Sequence, residues 1–302
     1  MALHKTEAEV TILCDGITVG VTHPTTLYFP DARITKYDLV TYYATIAPRI
    51  FQYGANHLLT LERYPGGITH TGFYQKEIPE CIPTFIARKT IQNKTHGTTT
   101  YAVLNHPAVI PYLAQYGCIT PHLWLSSAQA PQQPDRLIFD LDPPHQKNFS
   151  WQLVQETAFE LHDLLNEVGL KPFLMTTGSR GLHVVVPIQQ HAKFDRVRRV
   201  ARQVAQILVA RDSRYKTLTA QDKSRRTKIF IDYLRNAFGA TAVSPYAVRA
   251  LPDAPVATPL AWSELHDSAL RSSSFTIKSI LQRIAEDTDP WESFFKSRRP
   301  LF

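Results

Sequence analysis

Hydrophobic and polar positions change period several times in the second half of the chain, and each change marks an element. Leu137-Ile138-Phe139-Asp140-Leu141-Asp142 is a short, mostly apolar run bounded by prolines, which predicts a strand. Ser150 has the chemistry of a helix N-cap. After it, apolar residues recur at helical spacing (Leu153, Val154, Ala158, Leu161, Leu164, Leu165, Val168) until Gly169 supplies a stop. Residues 172–177 and 182–188 are rich in apolar and β-branched side chains, and Gly178-Ser179-Arg180-Gly181 between them is turn chemistry, which predicts a hairpin. A second helix is predicted over 194–210, burying Val197, Val200, Ala201, Val204, Ile207 and Leu208 and turning Arg196, Arg199, Gln203 and Gln206 outward. Residues 229–234 predict a further strand. Strand, helix, hairpin, helix, strand implies an α/β (α+β) sandwich with helices on one sheet face, an RRM-like arrangement.

The first half is less regular. Residues 10–21 alternate as a hairpin would, 36–50 predict a helix, and 58–63 and 68–76 predict strands about a Pro65-Gly66-Gly67 turn, together a second α/β unit. The proline-rich interval 121–144 is expected to be a joint. Residues 275–302 predict a helix to about Glu286, then an aromatic tail that packs back. With no internal repeat or low-complexity tract, residues 1–302 are expected to form a single domain with three subregions: an N-terminal α/β unit (1–120), an RRM-like unit (121–270), and a C-terminal helix and tail (271–302).

Composition narrows the setting. Of 302 residues, 44% are hydrophobic and 20% charged, which excludes a fibrous or wholly disordered chain. No apolar stretch approaches the roughly 20 residues of a membrane helix. No membrane association is therefore expected, and charges in MALHKTEAEV leave no room for a signal-peptide core, so secretion is not expected either. Cys14, Cys81 and Cys118 are too few and too far apart for a disulfide framework or a CxxC zinc site, and a reducing cytoplasm fits. The formal charge is +7, and 211–228 holds seven basic residues against two acidic ones. A surplus of that kind attracts polyanions.

Asp140 and Asp142 are one residue apart on a strand, so both carboxylates leave the same face while Phe139 and Leu141 point to the core. Asp232 is a lone carboxylate in another apolar strand, where a buried charge is costly without a partner. If the two strands are neighbours, three carboxylates converge, a set suited to two divalent ions and in-line phosphoryl displacement. Hard oxygen donors favour magnesium or manganese. The turn Thr177-Gly178-Ser179-Arg180-Gly181 offers backbone N–H groups, two hydroxyls and a guanidinium to a phosphate. His183 follows on the exit strand.

Over about residues 22–264 the chain resembles the polymerase domain of bacterial end-joining DNA ligases (ligase D), a branch of the archaeo-eukaryotic primase superfamily. The likeness runs through LYFPDARITKYDL, LLTLERYPGG, FYQKEIPE, HLWLSSAQAPQQPDRLIFDLDPP, TTGSRGLHVVVP, KSRRTKIFIDYLRNAFGATAVSPYAVRA and VATPLAWSEL, in that order. The resemblance implies a primase-polymerase fold and a nucleotidyltransferase that extends a primer 3'-hydroxyl with an NTP or dNTP, using two Mn2+ or Mg2+ ions. It implies Asp140, Asp142 and Asp232 as metal ligands. His122, Thr177, Gly178, Arg180, His183, Arg225 and Arg249 are implied to hold the nucleotide, with Arg63 beside them. Phe73 and Tyr74 look like a pair whose exposed member stacks on a base, core packing accounting for at least one of the two. Lys36 resembles a lysine that receives a DNA 5'-phosphate.

Two departures stand out. Where family members carry SNPDK, this chain reads Thr22-His23-Pro24-Thr25-Thr26, so Thr26 replaces a lysine that would assist Lys36. Thr177 and Arg180 stand where Ser and Lys are usual, and a planar guanidinium binds phosphate with different geometry from an ammonium. No KxDG nucleophile motif and no His-rich nuclease segment occur, so neither ligase nor nuclease activity is expected. The expected substrate is DNA with a gap, break or 3' overhang, in the cytoplasm at the nucleoid, with Ku and a separate ligase as partners. The alternatives are a non-catalytic module that binds DNA ends and recruits repair partners, and a DxD glycosyltransferase, which leaves Asp232 without a role.

Overall fold

The computed structural model describes residues 10–92, 97–144, 146, 149–219, 226–286 and 288–301. The chain divides into two compact units. Residues 1–123, 243–255 and 276–281 form one, and 124–242, 256–275 and 282–302 the other.

In the first unit, β1 (Val10–Cys14) and β2 (Ile17–Val21) pair antiparallel about Asp15-Gly16, both with positive φ, the Asp-Gly signature of a tight hairpin. Strands β3 (Leu27–Phe29) and β4 (Ile34–Thr35) lead into α1 (Lys36–Gly54). Its start is fixed by a capping box: the Thr35 hydroxyl accepts from the Asp38 N–H, and the Asp38 carboxylate accepts from the Thr35 N–H. The helix runs past the expected Ile50, through Pro48, to Gly54.

Strand β5 (His57–Arg63) pairs antiparallel with β6 (Phe73–Gln75), with Leu61 opposite Gln75 and Arg63 opposite Phe73. The strand expected over 68–76 is therefore only three residues long. Residues 64–72 form a loop because Gly67, at φ +84°, sits against the Leu27–Tyr28 backbone, where a Cβ would lie 2.8 Å from the Leu27 carbonyl oxygen. The Ile68 N–H then bonds to the Tyr28 carbonyl of β3 instead of to β5. The hairpin of β7 (Arg88–Gln92) and β8 (Thr98–Ala102) and the helix α2 (Val109–Gln115) complete the run to β9 (Cys118–Ser127). Strand β9 occupies the start of the interval expected to be a joint.

The second unit is built in the order β10 (Arg136–Asp142), α3 (Trp151–Glu167), β11 (Phe173–Thr176), β12 (Leu182–Pro187), α4 (Phe194–Arg211), β13 (Lys216–Thr217) and β14 (Ile229–Asp232). Its six-stranded sheet has the order β13-β14-β10-β12-β11 followed by the short strand Pro259–Leu260. Strand β10 is thus flanked by β14 and β12, antiparallel to both. Taken without its outer strands, this is a βαββαβ unit.

Leu137, Phe139 and Leu141 of β10 pack with Val184 and Val186 of β12, Ile229 and Ile231 of β14, and the apolar stripes of α3 and α4, so both helices cover one face. Ser150 stands at the N-cap of α3 with no side-chain cap bond. Ile207, expected in the core, is 47% exposed, at the margin of the α4 stripe. The C-terminal aromatics pack back within this unit: Trp291 and Phe294 are buried and stacked, and the Trp291 indole N–H donates to the Leu174 carbonyl. Among the described residues, no helix is long and apolar enough to cross a membrane.

Strand β14 stops at Asp232, yet its junction with β10 is extended by a side chain. Fully buried Asn236 accepts from the Ile138 N–H at 2.8 Å and donates to the Ile138 carbonyl at 2.7 Å, replacing a lost rung of the ladder. Asn236→Ala leaves both backbone groups of Ile138 buried and unpaired. It should cost about 2–4 kcal/mol in urea unfolding, and a change below the experimental error would show that Asn236 does not hold this junction.

Candidate active site

The acidic face follows from register. Asp140 of β10 lies directly opposite Asp232 of β14 on one side and His183 of β12 on the other. Asp142 is two residues along β10 on the same face, opposite Phe230. Asp140 is buried, and Nε2 of His183 stands 3.5 Å from its Oδ2. The Leu234 N–H donates to Asp232 Oδ1 at 2.7 Å. Arg235 reaches Asp140 Oδ2 at 3.3 Å through one guanidinium nitrogen and Asp232 Oδ2 at 3.5 Å through another. Burial holds the Asp232 carboxyl above its usual 3.8, and the negative charge of Asp140 adds to the rise, against the opposing Leu234 hydrogen bond and the charge of Arg235.

Beside this row is the turn between β11 and β12. Gly178 has φ +68°, a conformation that costs glycine little. The Thr177 hydroxyl accepts from the Gly181 N–H and lies 3.1 Å from the Ser272 hydroxyl, which donates to the Gly181 carbonyl at 2.7 Å. A Cβ at Gly181 would overlap the Leu141 carbonyl, so only glycine lets β12 approach β10 here. The Arg180 guanidinium donates to the carbonyls of Pro143 and Pro144, directly beyond Asp142.

The remaining described candidates lie in the first unit. His122 on β9 is buried, with Nε2 3.5 Å from Glu62 Oε2, and its ring meets Tyr74 edge-on at 5.6 Å. Burial alone would raise the Glu62 carboxyl, but the hydrogen bond to His122 and the charge of Arg249 prevail and hold it low. Arg63 donates to the Tyr116 carbonyl and to Gln75 Oε1, and its guanidinium lies 3.7 Å above the Tyr116 ring and 5.3 Å from the Phe73 ring. Phe73 and Tyr74 are both exposed on β6, which corrects the expectation that core packing accounts for one of them. A three-residue edge strand gives neither ring an interior to enter.

Lys36, the first residue of α1, is buried, and its ammonium donates to the Thr22 hydroxyl at 3.2 Å. Arg225 lies outside the described residues, as do 220–224. In the described part of the basic segment, Lys216 is buried in β13 and paired with Glu160 at 2.6 Å, Arg211 pairs with Glu167, and Arg214 with Asp212. These charges are balanced within the protein.

Sequence reasoning passed over three residues of these clusters. Glu62 carried the same signal as Asp232, an acid in an apolar strand. Arg235 carried a weaker one, a cation three residues beyond that acid. Ser272 carried none, since its partners lie more than ninety residues away.

Asp140, Asp142 and Asp232 offer only oxygen donors, as magnesium and manganese prefer, and register sets the carboxylates of Asp140 and Asp232 side by side on one face of the sheet. The donor set therefore fits divalent ions. Among the described residues no three acidic, histidine or cysteine side chains close around a common point, and at the Asp140–Asp232 pair it is Arg235 that is held.

Comparison with known proteins matches residues 35–291 to the family "LigD, primase-polymerase domain". The multifunctional non-homologous end joining DNA repair protein LigD of Mycobacterium tuberculosis is 31% identical over 279 residues, 90% of this chain and 36% of that protein. Its counterpart in Pseudomonas aeruginosa is 30% identical over 286 residues, 94% of this chain and 34% of that protein. The chain thus spans about a third of the length of these relatives. A solved structure of the polymerase domain from Mycobacterium tuberculosis ligase D in complex with DNA superposes with a TM-score of 0.86 at 29% identity, covering 93% of this chain and 99% of that one.

The raised Asp232 carboxyl yields a test of what its burial costs. A carboxyl raised in the folded protein favours folding below its usual value of 3.8, and that contribution is lost as pH rises through the raised one. Asn keeps the acceptor for the Leu234 N–H but carries no charge. Asp232→Asn should therefore melt on the order of a few degrees higher than the native chain at neutral pH, the difference shrinking as pH falls toward the usual value. An equal or lower melting temperature at neutral pH would contradict a carboxyl raised mainly by burial.

Proposed function

The chain belongs to the LigD primase-polymerase domain family, and from that premise we propose that it is a template-dependent nucleotidyltransferase. It would extend a primer 3'-hydroxyl with an NTP or dNTP to fill short gaps at DNA breaks, as in non-homologous end joining. The observation that carries this reading is the register that sets Asp140 across from Asp232 with Asp142 on the same face of β10. In this reading the sheet of the second unit is the RRM-like catalytic sheet of a primase-polymerase fold, and residues 1–302 act as one polymerase domain.

Asp140, Asp142 and Asp232 hold two divalent ions, Mn2+ or Mg2+. Such ions lower the pKa of a bound hydroxyl and neutralise charge on a transferring phosphoryl group. Asp140 and Asp142 extend from a strand whose other face is locked in the core, so they keep their positions without reorganising. Thr177, Gly178 and Arg180 receive the triphosphate: Gly178 gives the turn its left-handed bend, and Arg180 brings positive charge. His183 orients the Asp140 carboxylate. His122, kept in place by Glu62, and Arg249, Arg225 and Arg63 complete nucleotide binding, with the exposed rings of Phe73 and Tyr74 offering faces to bases.

DNA with a gap, break or 3' overhang is the substrate, Ku and a separate ligase are the partners, and the bacterial cytoplasm at the nucleoid is the setting. A non-catalytic DNA-end-binding module would have no use for the acidic row. Primer extension on a gapped duplex with Mn2+ distinguishes the two. Asp140→Ala and Asp232→Ala should each reduce extension by about 100-fold or more, the scale for removing charge stabilisation at a phosphoryl-transfer site. DNA binding without incorporation by the native chain under any divalent ion would replace the catalytic reading with the binding one.

Recognition of a 5'-phosphate is weak in this reading, because Lys36 donates to Thr22 and the neighbouring family lysine is Thr26. The Lys36 N–H bonds to the Thr26 carbonyl at 2.8 Å, so a lysine at position 26 would start beside Lys36. Extension on gaps with and without a 5'-phosphate should differ by less than about threefold, less than one charge-assisted contact is worth. Thr26→Lys should widen the difference. A strong native preference abolished by Lys36→Ala would reverse this conclusion.

A further inference from the structure

Resting on the two-metal reading above, we propose that Arg235 is an internal competitor for the cation site: its guanidinium holds the Asp140–Asp232 pair and must leave it before a divalent ion can bind there. Three features of the structure support this. The first is which oxygens it holds. Asp232 Oδ1 is taken by the Leu234 N–H, and Arg235 meets Oδ2, together with Oδ2 of Asp140, so one positive group spans one oxygen from each acid.

The second is that its backbone is fixed while its side chain stands partly in solvent. Leu234 on one side is bonded to Asp232, and Asn236 on the other is buried and bonded to both backbone groups of Ile138. The main chain at Arg235 is thereby fixed, whereas the side chain is 43% exposed and has a route to solvent. The third is the strength of the hold. Contacts of 3.3 and 3.5 Å are longer than the roughly 2.7–2.9 Å of a strong guanidinium–carboxylate hydrogen bond. Such a clamp offsets repulsion between the acids yet yields to a double charge. The competition sets the cation concentration at which the site fills.

The inference is tested by cation binding instead of turnover. Chelator-treated protein is titrated with Mn2+ alone, free Mn2+ being followed by electron paramagnetic resonance, for the native chain, Arg235→Gln, Arg235→Lys and Asp140→Asn. Arg235→Gln should bind Mn2+ about three- to tenfold more tightly, the range for losing a partly exposed ion pair with two acids. Arg235→Lys should tighten binding by a smaller factor, since an ammonium does not span two carboxylates as a planar fork does. It also keeps the charge should the Gln variant fail to fold.

A second readout is thermal unfolding. In chelator Arg235→Gln should melt below the native chain, and saturating Mn2+ should remove the difference. If Asp140→Asn abolishes binding while both Arg235 variants bind as the native chain does, or more weakly, the competition is overturned and the metal reading stands. If Asp140→Asn binds Mn2+ like the native chain, the ions are not held at this pair, and the inference falls together with its premise.

Discussion

The antiparallel register of β10 between β14 and β12 is the constraint on which the second unit depends. Side chains alternate along a strand, so burying Leu137, Phe139 and Leu141 under α3 and α4 forces Asp140 and Asp142 onto the opposite face. A slip of one residue would put both acids in the core and the apolar residues outside, an exchange worth many kcal/mol. The neighbours obey the same rule. Ile229 and Ile231 are core residues and Asp232 is not, just as Leu182 and Val184 are core residues and His183 is not. The acidic row is therefore the far side of a well-packed core, and like charges stay close because the apolar side leaves them no alternative.

How much of this was legible in the chain depends on how the signal is carried. β10, α3, β11, β12, α4 and β14 could be read because their apolar periods are clear and Gly or Pro punctuates them. Strand β9 could not: Pro121 lies within it, and a proline-rich stretch reads as a connection although every residue from Cys118 to Ser126 is buried. The strand expected over 68–76 was too long because alternation in sequence says nothing of Gly67 pressed against the Leu27–Tyr28 backbone. Lys216 belongs to a basic run by composition, yet it is buried and ion-paired, because charge counting ignores which strand a lysine occupies.

At the candidate site, the three aspartates were visible as violations: a charge in an apolar strand costs enough that it needs a reason. Glu62 broke the same rule in β5 and stands beside His122 in the same way. The rest became visible only in three dimensions. Arg235 gains its place because β14 ends where Asn236 takes over the backbone bonding of Ile138. Ser272 reaches Thr177 and Gly181 through a fold-level return of the chain that no local pattern encodes.

The 177–181 turn and the acidic row are mechanically one piece. Arg180 grips the carbonyls of Pro143 and Pro144 at the end of β10, and Gly181 is packed against the Leu141 carbonyl one residue before Asp142. Thr177 and Ser272 lock the turn from the other side. The turn and the strand end that carries Asp142 are therefore fixed against each other. That coupling accounts for an arginine at 180 as readily as a lysine: its fork has enough donors to hold two backbone carbonyls and still present positive charge outward, which a single ammonium on a flexible stem does less well. What the fold shows at Arg180 is a brace between the turn and the end of β10.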